Sequence, residues 1–139
     1  MLIFLDIDGV MVPAASWKKT EQLEDGFATF SIASVQALNS LIRPDTSIIL
    51  TTSHRFRYSH DEWISIFQRR GIELKKLYCL NNGSNRKEEI VNWFNTNTIS
   101  TDFIIIDDDK SLNDLPMNLK NHLILTTPLV GLTKKDLLK

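Results

Sequence analysis

Five short apolar runs are spaced along the chain, and each ends abruptly in polar residues. They occupy positions 2–5, 48–50, 77–80, 103–106 and 123–125. Within each run the apolar residues are continuous and do not alternate with polar ones. Continuous runs of this length, rich in β-branched residues, are typical of strands that are buried on both faces of a parallel sheet.

Helical patterns lie between these runs. Apolar residues recur at helical spacing over 34–43, 61–70 and 86–95, with Pro44 and Gly71 as stop signals after the first two. A last short helix is expected from Thr133. Strands that alternate with helices favour an α/β fold. We therefore expect a Rossmann-like three-layer sandwich with a mainly parallel, five-stranded sheet.

The composition agrees with a single folded domain over 1–139. The chain has 139 residues, of which 42% are hydrophobic and 24% charged, which are ordinary values for a globular domain. Residues 10–30 lack periodicity, and we expect them to form a small flap-like excursion with a short ribbon at 27–32.

The same sequence excludes several other classes of protein. Cys79 is the only cysteine, so neither an internal disulfide nor a cysteine-based zinc site can form. No apolar run approaches the ~20 residues that a membrane helix needs. We therefore expect a cytoplasmic protein with no membrane association. The sequence gives no indication of its oligomeric state.

Polar residues whose side chains can bind a metal or react with a phosphate follow three of the apolar runs. Asp6-Ile7-Asp8-Gly9 follows the first run, Thr51-Thr52 follows the second, and Asp107-Asp108 follows the fourth. In open parallel sheets, ligands bind beyond the carboxyl ends of the strands. Carboxylates that converge there repel one another unless a cation lies between them. Mg²⁺ is the expected cation because it prefers oxygen ligands and accepts phosphate oxygens.

The acid-x-acid spacing suggests two roles. Side chains two positions apart in an extended segment point the same way, so Asp6 can attack phosphorus while Asp8 exchanges a proton with the leaving group and with water. Lys87 and a hydroxyl from Thr51, Thr52 or Ser53 can hold the transferring phosphoryl group. Thr51 is favoured among the three because it directly follows the apolar run. Each feature alone is common in turns, helix caps or solvated surfaces. Their order at successive strand ends is what indicates phosphoryl transfer.

With these motifs in view, the chain resembles the haloacid dehalogenase (HAD) superfamily of phosphotransferases. Leu5-Asp6-Ile7-Asp8-Gly9-Val10 is similar to its first motif, Ile49-Leu50-Thr51 to its second, Lys87 to its third and Ile106-Asp107-Asp108 to its fourth. The resemblance implies that Mg²⁺ is held by Asp6, by the backbone carbonyl of Asp8 and by Asp108, with support from Asp107. Within the superfamily, the resemblance disfavours a haloacid-type dehalogenase, because those relatives use neither the second acid nor Mg²⁺ and this chain has both acids.

The resemblance extends to the small HAD domains associated with Swiss Army Knife RNA repair proteins. It covers 34–41, 48–55, 87–94, 103–109 and 131–133. One departure is His54, because that subfamily usually carries tryptophan between the serine and the arginine. From the residues alone, each histidine is interpreted as structural or as a surface residue.

The expected substrate is a phosphate ester at an open site. The gaps after Gly9 and Arg55 are too short for a large cap domain. The net charge is −1, but 54–87 carries eight basic and three acidic side chains. Thr52 and Arg55 are the candidate substrate-binding residues, with Arg55 as a bidentate fork on phosphate. The resemblance to domains associated with RNA repair implies phosphorylated ends of RNA or DNA as the favoured substrates. Nucleotide or small-metabolite phosphatases, and a catalytically weak phosphate-binding protein, remain alternatives.

Overall fold

Five strands and four α-helices alternate along the part of the chain that the structure describes. The computed structural model describes residues 1–14 and 21–138. The strands are β1 (Leu2–Leu5), β2 (Ser47–Leu50), β3 (Lys76–Cys79), β4 (Phe103–Asp107) and β5 (Leu123–Leu125). The helices are α1 (Ile32–Leu41), α2 (His60–Arg69), α3 (Arg86–Thr96) and α4 (Met117–Lys120), with 3-10 turns at Lys110–Asp114 and Lys134–Leu138.

The strands form one parallel sheet in the order β3-β2-β1-β4-β5. The predicted α/β architecture is confirmed. Leu5 at the end of β1 is level with Leu50 of β2 and Ile106 of β4. The residues that follow these three positions therefore reach the same edge of the sheet side by side. This register determines where the polar strand ends meet.

Each face of the sheet has its own hydrophobic core. On one face, residues such as Leu5 and Ile48 pack with Leu38 of α1 and with Trp63 and Phe67 of α2. On the opposite face, Phe4, Ile49 and Ile105 pack with Ile90 of α3 and with Leu112 and Leu119 farther along the chain. Because alternate residues of a strand point to opposite faces, apolar residues at every position of β1 supply both cores. This explains the unbroken apolar runs.

The helix boundaries follow from local capping. α1 begins at Ile32, two residues before the predicted start, because the Ser31 side chain caps it by accepting a hydrogen bond from the backbone N–H of Ser34. α2 begins with a capping box in which Ser59 and Glu62 satisfy each other's backbone N–H groups. The predicted helix at Thr133 is a 3-10 turn over Lys134–Leu138.

The described part of the excursion forms a small ribbon. Gln22 and Ala28 make an antiparallel bridge around a turn at Gly26. The ribbon thus lies earlier than the predicted 27–32. Positions 15–20, also part of the predicted excursion, lie outside the described residues. Within 1–14 and 21–138, no helix has the length and apolar character needed to cross a membrane.

Candidate active site

Three carboxylates meet at the carboxyl edge of the sheet. Asp6 follows β1, Asp107 ends β4 and Asp108 follows it. One carboxylate oxygen from each lies within 4.8 Å of the others. The backbone fixes this arrangement, since the Asp6 N–H donates to the carbonyl of Ile106 at 3.0 Å. The predicted convergence of Asp6, Asp107 and Asp108 is therefore observed.

Arg86 and Thr51 complete the polar floor around these acids. The Arg86 guanidinium Nη1 lies 2.5 Å from Oδ2 of Asp107 and 3.6 Å from Oδ2 of Asp6. The Thr51 hydroxyl donates to Oδ2 of Asp107 at 3.2 Å. Thr51 and Asp107 are fully buried, so these contacts lie below the carboxylate of Asp6 and the rim of the site.

Crowding and burial disturb the acids electrostatically. Burial raises the pKa of Asp6 well above its usual range, the neighbouring charge of Asp107 adds to this effect, and Arg86 opposes it. Burial is also the main cause of the raised pKa of Asp108. One arginine therefore does not compensate all three acids. A divalent cation with oxygen ligands would do so, and three hard carboxylates this close fit Mg²⁺.

The turn after β1 passes directly under Asp108. Gly9 adopts φ +79°, and a Cβ at this position would lie 2.1 Å from Oδ2 of Asp108. The Gly9 carbonyl accepts a hydrogen bond of 2.8 Å from the Thr126 hydroxyl, which follows β5. Only glycine allows this backbone both the positive φ and the close approach.

Asp8 stands apart from the buried acids. Its side chain is 61% exposed, and its Oδ2 lies 2.9 Å from Nε2 of His54. The resemblance implied a metal contact through its carbonyl, while its carboxylate is free of the Asp6 cluster. The histidine contact was missed by the sequence analysis, which interpreted His54 as a structural or surface residue. No sequence signal connects two residues 46 positions apart.

The cation that meets the acids is Arg86 and not its neighbour Lys87. Arg86 contacts Asp107, Asp6 and Glu89, whereas Lys87 makes no hydrogen bond or ion pair with the described residues. Successive helical residues point about 100° apart, so only one of the two can face the acids. The motif resemblance selected Lys87 at the start of this helix, and the contact of Arg86 with the acids is an addition to that expectation.

Arg55 is enclosed by protein acceptors. It is 3% exposed. Its Nε donates to the carbonyl of Leu80 at 2.5 Å, and its Nη1 donates to the carbonyls of Thr51 and Thr52. Its Nη2 forms an ion pair of 2.9 Å with Glu89. The guanidinium thus ties the turn after β2 to β3 and α3, and the structure does not present it as a free fork for phosphate.

Thr52 is also engaged with its own turn. It is buried, and its Oγ1 accepts a hydrogen bond from the backbone N–H of His54 at 3.3 Å. Of the two threonines, only Thr51 has a hydroxyl in contact with the acid cluster. This contact favours Thr51 among the candidate hydroxyls. Thr51 therefore remains the candidate for binding the phosphoryl group.

The fold and this site define a phosphohydrolase of the HAD type. The acids lie at the ends of β1 and β4 of a parallel sheet, as this class requires. No large cap domain is present in the described residues. Comparison with family models gives the finer assignment. The model of the HAD domain in Swiss Army Knife RNA repair proteins matches residues 2–137, and the chain belongs to this family. Searches of curated proteins and of solved structures found no significant match.

Proposed function

We propose that the protein is a Mg²⁺-dependent phosphohydrolase that forms an aspartyl-phosphate on Asp6. The observation that carries the proposal is the convergence of Asp6, Asp107 and Asp108 beside Arg86, with the exposed Asp8 two residues after Asp6. One acid is thus buried beside Arg86 and two further acids, and another is open to solvent. The two acids can therefore take different roles, one in nucleophilic attack and one in proton exchange.

In the first half-reaction, a carboxylate oxygen of Asp6 attacks phosphorus. The new O–P bond forms as the bond from phosphorus to the leaving oxygen breaks. Asp8 gives its proton to that oxygen, so the product leaves as a neutral hydroxyl group. Arg86 stabilises the negative charge on the phosphoryl oxygens. The Thr51 hydroxyl donates to one of these oxygens in place of its present acceptor, Asp107.

In the second half-reaction, water attacks the phosphorus of the aspartyl-phosphate. Asp8 is now a carboxylate and takes a proton from this water. The bond between phosphorus and the Asp6 oxygen breaks, which releases inorganic phosphate and regenerates the Asp6 carboxylate. Asp8 ends the cycle protonated, as it began. One acid therefore serves both halves.

The proposed metal ligands are Asp6, Asp108 and the backbone carbonyl of Asp8, with Asp107 in support. A bound Mg²⁺ would supply positive charge to neutralise the phosphoryl oxygens. Within the protein, Asp107 keeps Arg86 and Thr51 in place through the contacts at 2.5 and 3.2 Å. Asp107 also orders the loop after β4, because its Oδ1 accepts hydrogen bonds from the backbone N–H groups of Asp108 and Asp109.

We further propose a phosphate end of RNA or DNA as the substrate. The support is the family's association with RNA repair proteins, together with the open position of Asp8. Lys87, half-buried and without a protein partner among the described residues, is a cation that such a substrate can use. Arg57 is exposed on the turn after β2 and can contact a further phosphate.

The central test is turnover of an aryl phosphate with and without Mg²⁺. We expect Asp6→Asn to abolish hydrolysis and to prevent formation of a hydroxylamine-sensitive phosphoprotein, because the amide cannot form the acyl phosphate. Asp45→Asn changes the same functional group on an exposed residue outside the site and should leave turnover unchanged. Undiminished Mg²⁺-dependent turnover by Asp6→Asn would rule out Asp6 as the nucleophile.

Arg86 and Lys87 form a matched pair for testing the cation. We expect Arg86→Met to reduce kcat by about 10²- to 10³-fold, the usual loss for a group that stabilises developing negative charge. Lys87→Met should cost less than about tenfold at a small aryl phosphate, since it touches none of the acids. A thermal melt of each variant controls for folding. A larger loss for Lys87→Met would restore it as the principal cation.

A panel of phosphate esters tests the substrate. End-phosphorylated RNA and DNA oligonucleotides are compared with mononucleotides and sugar phosphates at equal concentration. We expect kcat/KM to be highest for an oligonucleotide end and to fall with added salt, because phosphate contacts release counterions. A preference for a free metabolite by orders of magnitude would identify a small-molecule phosphatase instead.

A further inference from the structure

His54 meets Asp8 at the mouth of the site. Its Nε2 lies 2.9 Å from Oδ2 of the Asp8 carboxylate. We propose that His54 is a positioning residue that fixes the orientation of this carboxylate for proton transfer. The inference rests on the proposed function, because it assigns the residue that holds the acid/base of that reaction.

Asp8 needs such a partner because little else holds its side chain. The carboxylate is 61% exposed. Among the described residues, His54 is its only hydrogen-bond partner. The backbone at Asp8 is fixed by its bridge to Val12, but the side-chain torsions are not. Without the imidazole, an exposed carboxylate samples several rotamers.

His54 itself is well anchored. Its ring packs edge-on against Phe27, with centroids 5.8 Å apart and an interplanar angle of 87°. Phe27 is buried and also contacts Tyr58 and Trp63. The backbone of His54 is held as well, since its carbonyl accepts a hydrogen bond from the N–H of Arg57 at 2.8 Å. A fixed ring can therefore fix a mobile carboxylate.

The contact also distinguishes the two oxygens of Asp8. When Asp8 is ionised it has no proton to donate, so the Nε2–H of the imidazole donates to Oδ2. When Asp8 is protonated, the same N–H bond to Oδ2 places the carboxyl proton on Oδ1. Oδ1 remains free to carry the exchangeable proton. In the first half-reaction the Oδ1–H bond breaks as the leaving oxygen gains that proton. In the second, Oδ1 receives a proton from the attacking water. His54 exchanges no proton in either step.

This role predicts a dependence on the leaving group. Proton donation matters most when the leaving oxygen is strongly basic and little when it is a good leaving group. We expect His54→Phe, which keeps a ring against Phe27 but lacks the donor, to lower kcat about 10- to 100-fold with phenyl phosphate. With 2,4-dinitrophenyl phosphate, the loss should be less than about threefold. KM should change little with either ester.

The conservative variant and the control complete the experiment. His54→Gln retains an N–H donor and should recover most of the rate with phenyl phosphate. His60→Phe alters an exposed histidine outside the site and should leave both esters unaffected. Asp8→Asn provides the benchmark, because it removes the proton itself and should show the same leaving-group pattern with a larger loss.

Each result separates the inference from the proposed function. Failure of the wild-type protein to hydrolyse either ester with Mg²⁺ would overturn the proposed function and the inference with it. An active wild type whose His54→Phe variant loses equal activity on both esters, or none, would overturn the inference alone. A change confined to KM would also overturn it, because it would place His54 in contact with substrate.

Discussion

Gly9 determines how closely the first turn approaches Asp108. Its φ of +79° and the 2.1 Å that would separate an added Cβ from Oδ2 of Asp108 are independent constraints. Gly26 provides the contrast, with φ +80° but no neighbour within 4 Å of an added Cβ. The two glycines share the backbone requirement, and only Gly9 has the steric one.

These positions therefore separate backbone strain from loss of site geometry. Gly26→Ala should lower the free energy of unfolding by about 1–2 kcal/mol, the cost of a left-handed conformation for an L-residue. Gly9→Ala should cost more and should also reduce phosphatase activity about 100-fold, because small displacements of reacting groups have effects of this size. Urea denaturation and aryl phosphate hydrolysis measure both quantities. Equal losses of stability and activity for the two substitutions would show that the contact of Gly9 with Asp108 has no effect of its own.

At the residue level, the sequence predicted the acids better than their partners. Asp6, Thr51 and Asp107 were predictable because each follows an apolar run, and parallel strands align such ends. Arg86 could not be separated from Lys87, since the choice depends on the rotation of α3 about its axis. The Asp8–His54 contact depends on the path of two turns, about which periodicity carries no information.

Arg70 adds polar contacts to the ring contacts that pack the ribbon over 21–30 against α2. Arg70, just after α2, donates from Nη1 and Nη2 to the two carboxylate oxygens of Asp25, at 2.7 and 3.0 Å. It also donates to the carbonyls of Phe27 and Ala28. This clamp holds the segment that carries Phe27, and Phe27 packs against His54. An element far from the acids thus supports the rim of the site.

Breaking this clamp should be costly and sensitive to pH. Hydrogen bonds from Arg70 lower the pKa of Asp25 below its ordinary value of 3.8. Because the folded-state pKa is the lower one, the pair stabilises fully above pH 3.8, and its contribution is lost as the pH falls further. We expect Asp25→Asn to lower the free energy of unfolding by about 2–4 kcal/mol at pH 7.

Urea denaturation from pH 7 to pH 2.5 would measure this loss. The difference between wild type and Asp25→Asn should shrink below about pH 4, since protonation then neutralises the wild-type carboxyl. Arg70→Met and the double variant complete a double-mutant cycle. A pH-independent difference would mean that the ion pair contributes little.

Among the helices, length decided what the sequence could predict. The three long helices repeat their apolar spacing over ten or eleven residues, whereas the strands were recognised from continuous apolar runs. The 3-10 turn at Lys110–Asp114 and α4 at Met117–Lys120 were not predicted, because four or five residues hold about one helical turn. The ribbon was misplaced because Ser31 caps α1 and ends the excursion there.

On the scale of the whole molecule, one sheet joins two cores. Ile48 and Ile49 are neighbours in β2, and they lie in opposite cores. Trp63 belongs to the first core, and Trp93 packs against the second. We propose that the described chain unfolds as one cooperative unit. Both cores are built on the same strands, so disruption of the sheet disrupts both cores together.

Fluorine labelling of tryptophan would test this cooperativity. In 5-fluorotryptophan protein, the ¹⁹F signals of Trp63 and Trp93 should lose native intensity at the same urea concentration. Ile48→Ala and Ile49→Ala should each lower the free energy of unfolding by about 2–5 kcal/mol. Each should shift both signals together. Separate transitions for the two tryptophans would indicate two units.

The folded protein uses part of its positive charge internally. Residues 54–87 carry eight basic side chains, yet three of the arginines in this segment form ion pairs within the protein. Arg55 pairs with Glu89, Arg70 with Asp25 and Arg86 with Asp107. The cations left for a polynucleotide are fewer than the sequence indicated. Arg57 is exposed and follows the turn after β2, and Lys87 lies next to Arg86 in α3, so we propose these two for any RNA contact.

The hydrogen bond from Thr126 to the carbonyl of Gly9 has a consequence for synthesis on the ribosome. The two residues are 117 positions apart in the chain. At about 5–20 residues per second, translation takes roughly 6–23 s to pass from one to the other. The nascent chain therefore exposes Asp6 and Asp8 for seconds before β4 and Thr126 exist. The proposed nucleophile is thus made well before the residues that surround it in the folded site.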